Sequence, residues 1–284
     1  MSNVSTTQIL KDQKDFTLPN RRLRSRSGIL SLAEFKRLVR SLPRTAMEIN
    51  SIGIQQACPK NLPTLLKIEE AAWPEESRAS EEMLKSRIQI FPEGVLCASF
   101  RGAMVGFACL QILAEKLDQI RGDWAALTDG GFIRGTHTPE GSTLFGVSLS
   151  VIPRAPSGTT FALCEAAKKL TIRKKLPWVA LGSRIPRYRH FADKMDVKTY
   201  IYKFRNGRHI DPELDLYKRV GMIPIKVLPD YFPDEASCNY GVLLAWKNPF
   251  LELQDQLTLW DELLWFKLWE NKKRWREKPW PTIM

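Results

Sequence analysis

The stretch from Leu144 to Lys175 constrains this chain more than any other. An apolar run, Leu144 to Val151, passes through Ile152-Pro153-Arg154-Ala155-Pro156-Ser157-Gly158-Thr159-Thr160 into a helix-forming segment, Phe161 to Lys175. A strand, a turn of small residues and a helix in that order make a phosphate-binding arrangement. The N–H groups of a helix's first turn have no intrahelical partners and carry the positive end of the helix dipole. They hold a pyrophosphate where no bulky side chain blocks its approach, and Ser157, Gly158 and Thr159 are small. A plain strand-to-helix connection needs the same kind of turn, so both readings stay open at this point.

The flanking segments alternate between strand and helix patterns. Glu48 to Ile54 alternates as a strand does, and Pro59 to Ala72 carries Leu62, Leu65, Leu66 and Ile68 at helical spacing. A second helix fits Ser80 to Ile90. Gly94 to Phe100 and Met104 to Leu113 are apolar strands separated by Arg101-Gly102-Ala103, the spacing of an antiparallel hairpin. Glu115 to Ser142 is polar and holds Gly122, Gly130, Gly131, Gly135 and Gly141; its length marks it as a candidate functional loop. Beyond the central helix, Trp178 to Leu181 reads as a buried strand and Asp211 to Val220 as a short helix closed by Gly221. Ile223 to Leu228 and Asn239 to Trp246 are the remaining strands.

Three parts follow from these patterns: a basic N-terminal arm over 1–46, an α/β domain over 47–250 and a Trp-rich amphipathic helical extension over 251–284. Lys and Arg total 43 against 31 Asp and Glu, a net charge of +12, and the arm carries much of that surplus through Arg21, Arg22, Arg24 and Arg26. A surplus of this size favours an anionic partner. Nucleic acid is not expected, because no zinc, RNA-binding or helix-turn-helix spacing follows the arm. In the extension, Leu253, Leu257, Trp260, Leu264 and Leu268 form one apolar stripe, and five of the nine tryptophans fall there. Such a face must be covered, by its own domain, by a second subunit as a homodimer, by an acyl chain or by a membrane surface.

No apolar run approaches the roughly 18 to 20 residues of a transmembrane helix. The first 30 residues carry charge where a signal peptide needs its apolar stretch, so a cytoplasmic location is expected. Cys58, Cys97, Cys109, Cys164 and Cys238 are scattered without a CxxC pair, which argues against a disulfide framework and a structural zinc site. His137, His190 and His209 lack the mutual spacing of metal ligands, so no metal is expected.

The order of elements over about residues 47 to 250 resembles the GNAT superfamily of acyl-CoA-dependent acyltransferases. Val151-Ile152-Pro153 followed by Gly158-Thr159-Thr160 is similar to its pyrophosphate motif, with Ala155 and Pro156 standing where Arg or Gln and Gly are usual. Leu216-Tyr217-Lys218-Arg219-Val220-Gly221 is similar to its second motif, whose tyrosine reaches the CoA sulfur. Trp124 to Gly131, Thr136 to Gly141, Ser183 to Tyr188, Asp211-Pro212 and Tyr240 to Leu244 resemble GNAT domains fused to carbon–nitrogen hydrolases. They also resemble the GNAT-like domains that load or decarboxylate acyl groups in polyketide assembly lines. The resemblance implies a central mixed twisted sheet flanked by helices, here with a C-terminal helical extension. It also implies acyl-CoA, or the phosphopantetheine of an acyl carrier protein, as acyl donor. Leu149, Val151, Arg154, Ser157, Gly158, Thr159 and Thr160 would bind it.

The loading domains carry a Thr and a His where this chain has Ser183 and Tyr217. That difference argues for acylation of an amine, such as a Lys or ornithine side chain of a peptide in a natural-product pathway. Direct attack of a neutral amine on a thioester needs a base for the ammonium, polarisation of the carbonyl and an acid for the leaving thiolate. Tyr217 is the expected acid, with a packed core aromatic as the plain alternative. His137 is the candidate base, because its ordinary pKa suits proton transfer near neutrality, although a loop histidine is commonly a surface residue. Ser183 is a candidate to orient substrate or water. Trp73 and Tyr240 are candidates for the acyl or acceptor pocket, and the Trp-rich extension leaves room for a fatty acyl chain. Two alternatives share the fold: an S-acyl loading or decarboxylating enzyme acting on a carrier protein, and a non-catalytic acyl-CoA-binding protein.

Overall fold

The computed structural model describes residues 52–248 together with Leu251 and Trp280. The expectations for the basic arm, for the first residues of the opening strand and for nearly all of the extension, including a homodimer through it, lie outside the described residues.

Nine strands and six α-helices are described. β1 (Ile52–Gln56) leads to α1 (Leu62–Ala72) and α2 (Glu81–Ile90). β2 (Val95–Phe100) and β3 (Ala103–Leu113) form the expected hairpin, and a short helix, α3 (Trp124–Thr128), precedes β4 (Thr143–Val151). Then come α4 (Thr159–Arg173), β5 (Trp178–Arg184), α5 (Val197–Ile201) and the small β6 (Phe204–Arg205) and β7 (Arg208–His209) hairpin. α6 (Pro212–Val220), β8 (Ile223–Leu228) and β9 (Gly241–Lys247) complete the domain. Local chemistry explains the helix starts. Ser80 caps α2 by accepting from the Met83 N–H at 3.2 Å, and Asp211 caps α6 by accepting from the N–H groups of Glu213 and Leu214.

Seven strands make one mixed sheet in the order β1-β2-β3-β4-β5-β9-β8. Every neighbouring pair is antiparallel except β4 and β5, which run parallel and are joined by α4. Their pairing extends only from Thr143 opposite Trp178 to Gly146 opposite Leu181, after which β4 continues to Val151 and β5 to Arg184 without bonding. A bulge coincides with the parting: Cys109 of β3 pairs with Ser148 and Leu110 with Gly146, leaving Val147 as the extra residue. A bulged strand bends and turns its backbone groups out of the ladder. The sheet therefore opens a wedge at its centre, lined on one side by β4 backbone that pairs with β3 but no longer with β5.

Two readings are corrected, and one unassigned segment is filled. Glu115 to Ser142 is not wholly a loop, because Trp124 to Thr128 form α3, pinned by the Trp124 indole donating to the Val147 carbonyl at 2.8 Å and by Gln111 donating to the Leu127 carbonyl at 2.6 Å. The strand expected to end at Leu181 runs on to Arg184, so Ser183 lies within β5, paired with Val242 of β9. The segment between β5 and α6 is folded into α5 and the β6–β7 hairpin, whose Asn206-Gly207 turn is a hairpin signal present in the sequence.

Gly182 shows how tightly the open end is packed. A Cβ there would lie 2.1 Å from Cζ of Tyr231, whose ring rests on the bare backbone of β5.

Candidate active site

The wedge between β4 and β5 opens into a cleft of about 460 Å³. Its walls come from α1 and the α1–α2 connection (Glu69, Trp73, Glu76), from β4 (Gly146 to Leu149) and from α6 (Glu213, Tyr217). Of the residues singled out in the sequence, Trp73, Leu149, Val151, Thr160 and Tyr217 line this cleft together.

At one end lies the N-terminus of α4. Gly158 caps it with φ at +98° and open space where a Cβ would be, so the turn is bare on its outer side. Thr159 is buried and inward-turned, its hydroxyl donating to the Pro156 carbonyl at 2.8 Å. Thr160 borders the cleft, whereas Arg154 and Ser157 are exposed on the preceding turn. The glycine cap, a 15-residue helix start without a side-chain cap and an exposed arginine suit a pyrophosphate, in the place that joins it to the cleft.

Tyr217 stands on the cleft side of α6. Burial pushes its phenol well above the ordinary value, and Cys164, Glu213 and Tyr231 add to that, so it is protonated throughout the physiological range. One turn earlier on the same helix, Glu213 lines the same cleft. Its carboxyl is pushed up to about 7, chiefly by burial; Arg184 opposes the rise, and Asp211 and Asp234 assist it. The Arg184 guanidinium approaches Glu213 at 3.4 Å and Asp234 at 3.6 Å and lies over the Trp73 ring at 4.9 Å. Sequence reasoning missed Glu213. Its spacing of four from Tyr217 was the available signal.

A second cleft carboxylate is fully engaged. Glu69 is 2% exposed, accepts from Ser150 Oγ at 2.6 Å and from the Ala79 N–H at 3.1 Å, and the Trp73 indole donates to the same Ser150 oxygen at 2.9 Å. This chain fixes Trp73 over the open end of β4. Arg87 is also buried against the cleft, donating to the Gly131 carbonyl at 2.7 Å and to Ser148 Oγ at 3.1 Å, and so tethers the Gly-rich segment to α2 and β4.

The remaining candidates lie elsewhere. His137 packs on Phe91 with ring centroids 4.5 Å apart, and its Nδ1 accepts from the Ile112 N–H at 3.0 Å. Ile112 faces Leu144 at the start of β4, before the wedge opens, so the structure separates His137 from Tyr217. Burial lowers its pKa. Tyr240 meets Tyr188 edge-on at 5.8 Å, away from the cleft lining. Ser183 donates to the Arg184 carbonyl at 2.9 Å, and its 3.5 Å approach to Glu213 Oε2 is a weak contact. No group of three or more potential metal ligands occurs among the described residues.

A mixed sheet parted between two parallel strands, a helix N-terminus at one end of the wedge and a phenol inside it define an acyl-thioester transferase architecture. No family model matches the chain. It is 34% identical over 208 residues to YkwB of Bacillus subtilis (strain 168), described as an uncharacterized N-acetyltransferase, covering 72% of this chain and 92% of that protein. The loading GNATL domain of CurA from Lyngbya majuscula has a TM-score of 0.61 at 20% identity, covering 69% of this chain and 98% of that one. The GphF GNAT-like decarboxylase, solved with isobutyryl-CoA, has a TM-score of 0.55 at 24% identity, covering 69% and 99%. The chain belongs to the GNAT superfamily and is an acyltransferase of that type.

Proposed function

We propose that this protein transfers a short acyl group from acyl-CoA to a primary amine. The observation that carries the reading is the placement of Tyr217 in one cleft with the β4 edge that β5 has left. The thioester carbonyl accepts from β4 backbone N–H, the pantetheine arm pairs along Leu149 to Val151, and the pyrophosphate rests on the turn through Ser157, Gly158 and Thr160, with Arg154 beside it. Tyr217 protonates the departing sulfur. A tyrosine here, rather than the histidine of the decarboxylating domains, favours amine acylation. Glu76 and Glu213 on the walls favour a cationic acceptor of the Lys or ornithine kind, on a peptide or free.

A cleft of about 460 Å³ must hold pantetheine and acyl group together, which favours a short chain. The fatty-acyl expectation rests on the extension 251–284, nearly all of which lies outside the described residues. The net charge of +12 also suits an acidic carrier protein as donor, through faster encounter. The test is thiol release from acetyl-CoA and isobutyryl-CoA with a mixture of lysine, ornithine and spermidine. Amine-dependent release is expected. CoA binding without release sinks the reading in favour of a non-catalytic binder, and transfer to a carrier thiol alone sinks it in favour of S-acyl loading.

A further inference from the structure

The cleft's ionisable side chains differ in how fully the protein occupies them. Glu69 is held at 2.6 and 3.1 Å, and Lys168 is bonded to Glu165 and to the Val220 carbonyl. Arg87 is bonded to Gly131 and Ser148. Glu213 is different. Its contacts are with Arg184 at 3.4 Å and Ser183 at 3.5 Å, and its side chain is about 31% accessible, the rest packed against the protein. Carboxylate oxygens ordinarily find donors at about 2.7 to 3.0 Å, and both donors to Glu213 stand farther off than that. Glu213 also shares the cleft face of α6 with Tyr217, so the two side chains flank the same space.

We propose that Glu213 is the group that takes the proton from the acceptor's ammonium. This assignment rests on the amine-acylation reading above. The Glu213 carboxylate accepts one proton from R–NH3⁺, and the freed nitrogen lone pair forms the C–N bond at the thioester carbonyl. The tetrahedral intermediate collapses with cleavage of the C–S bond, and the thiolate takes the Tyr217 proton. The nitrogen's second proton returns to the Tyr217 phenolate, directly or through water, and Glu213 releases its proton to solvent. The balance is one amide, one CoA thiol and one proton.

The surroundings suit this exchange. Arg184 from β5 faces Glu213 and stabilises its ionised form, while Asp211 at the α6 cap and Asp234 from the β8–β9 connection favour the neutral one. Burial is the largest contribution, and with the two aspartates it outweighs Arg184 and raises the carboxyl to about 7. A base poised there is ionised in a useful fraction of molecules and still accepts a proton readily. The Arg184 guanidinium is itself anchored by the Trp73 ring and Asp234, so it does not close onto Glu213 as a tight bidentate pair.

The test compares two acceptors with acetyl-CoA as donor. Lysine is protonated at neutral pH and needs a base; hydroxylamine is neutral there and does not. For Glu213→Gln, kcat/KM with lysine is expected to fall roughly 10²- to 10⁴-fold. Hydroxylamine turnover, corrected for the uncatalysed reaction, should change little. The wild-type profile with lysine should carry an inflection near 7 that the variant lacks. Equal losses with both acceptors overturn the assignment and make Glu213 a positioning residue. Wild-type hydroxylamine turnover with no turnover of lysine, ornithine or spermidine overturns the amine-acylation reading instead. Glu213→Asp keeps the carboxylate, and its partial retention of lysine turnover separates lost chemistry from lost structure.

Discussion

Ser150 on β4 donates its hydroxyl proton to Glu69 on α1 at 2.6 Å, and its oxygen accepts the Trp73 indole N–H at 2.9 Å. One buried serine thereby ties α1 to the strand where it leaves its parallel neighbour, and holds the tryptophan over the cleft. Ser150→Ala removes both bonds and leaves a buried carboxylate oxygen short of a donor. Its cost should be about 1–3 kcal/mol in the midpoint of urea unfolding at unchanged m-value. Trp73 emission should shift with it.

Tyr217→Phe tests the acid. The phenyl ring keeps the packing, so acyl-CoA affinity should hold while amine acylation falls by roughly 10² or more. An acyl donor whose thiol leaves without protonation, such as a nitrothiophenyl ester, should narrow the gap between variant and wild type. An equal deficit with both donors would show that Tyr217 only shapes the wall.

The raised Glu213 carboxyl has a stability signature. In the folded protein it binds its proton up to about 7 rather than 4.5, so the folded state takes up a proton between those values. Stability associated with the protonated form is present at low pH and is lost as pH rises through about 7. Glu213→Gln should therefore melt above wild type at about pH 8, with the difference shrinking towards about pH 5. A pH-independent difference would mean the carboxyl is not shifted.

Trp280 is 7% exposed and donates its indole N–H to the Met222 carbonyl at 2.9 Å, with the Phe204 and His209 rings beside it. Trp280 is thus part of the domain's packing next to Met222, which also lines the cleft. Trp280→Ala should cost about 3–5 kcal/mol, and deletion of residues 280–284 should match it in thermal unfolding. Loss of stability near zero would contradict this docking.

Some of this was legible from local pattern alone. Apolar runs at hairpin spacing marked β2 and β3, short strand-like runs marked β8 and β9, and the small-residue turn marked the junction of β4 with α4, because strand, turn and helix preferences act over a few residues. The Tyr217 motif was equally local. His137 was not placed correctly. A loop histidine has the right chemistry anywhere, and only the register of β3 against β4 puts it at Ile112, before the wedge. Ser183 read as a residue beyond its strand because the pairing of β5 with β9 that extends the strand to Arg184 is non-local.

The sequence by itself determined the order of the elements, the small-residue turn before α4 and the tyrosine that α6 presents. Tertiary structure alone decided where β4 and β5 part, since the Val147 bulge and the end of parallel pairing depend on three strands at once. It also decided the character of Glu213. Asp211 at the cap of α6 is the local contribution; the rest is set by burial and by Arg184 and Asp234, brought to it from 29 residues before and 21 after, because charge and desolvation act through space rather than along the chain.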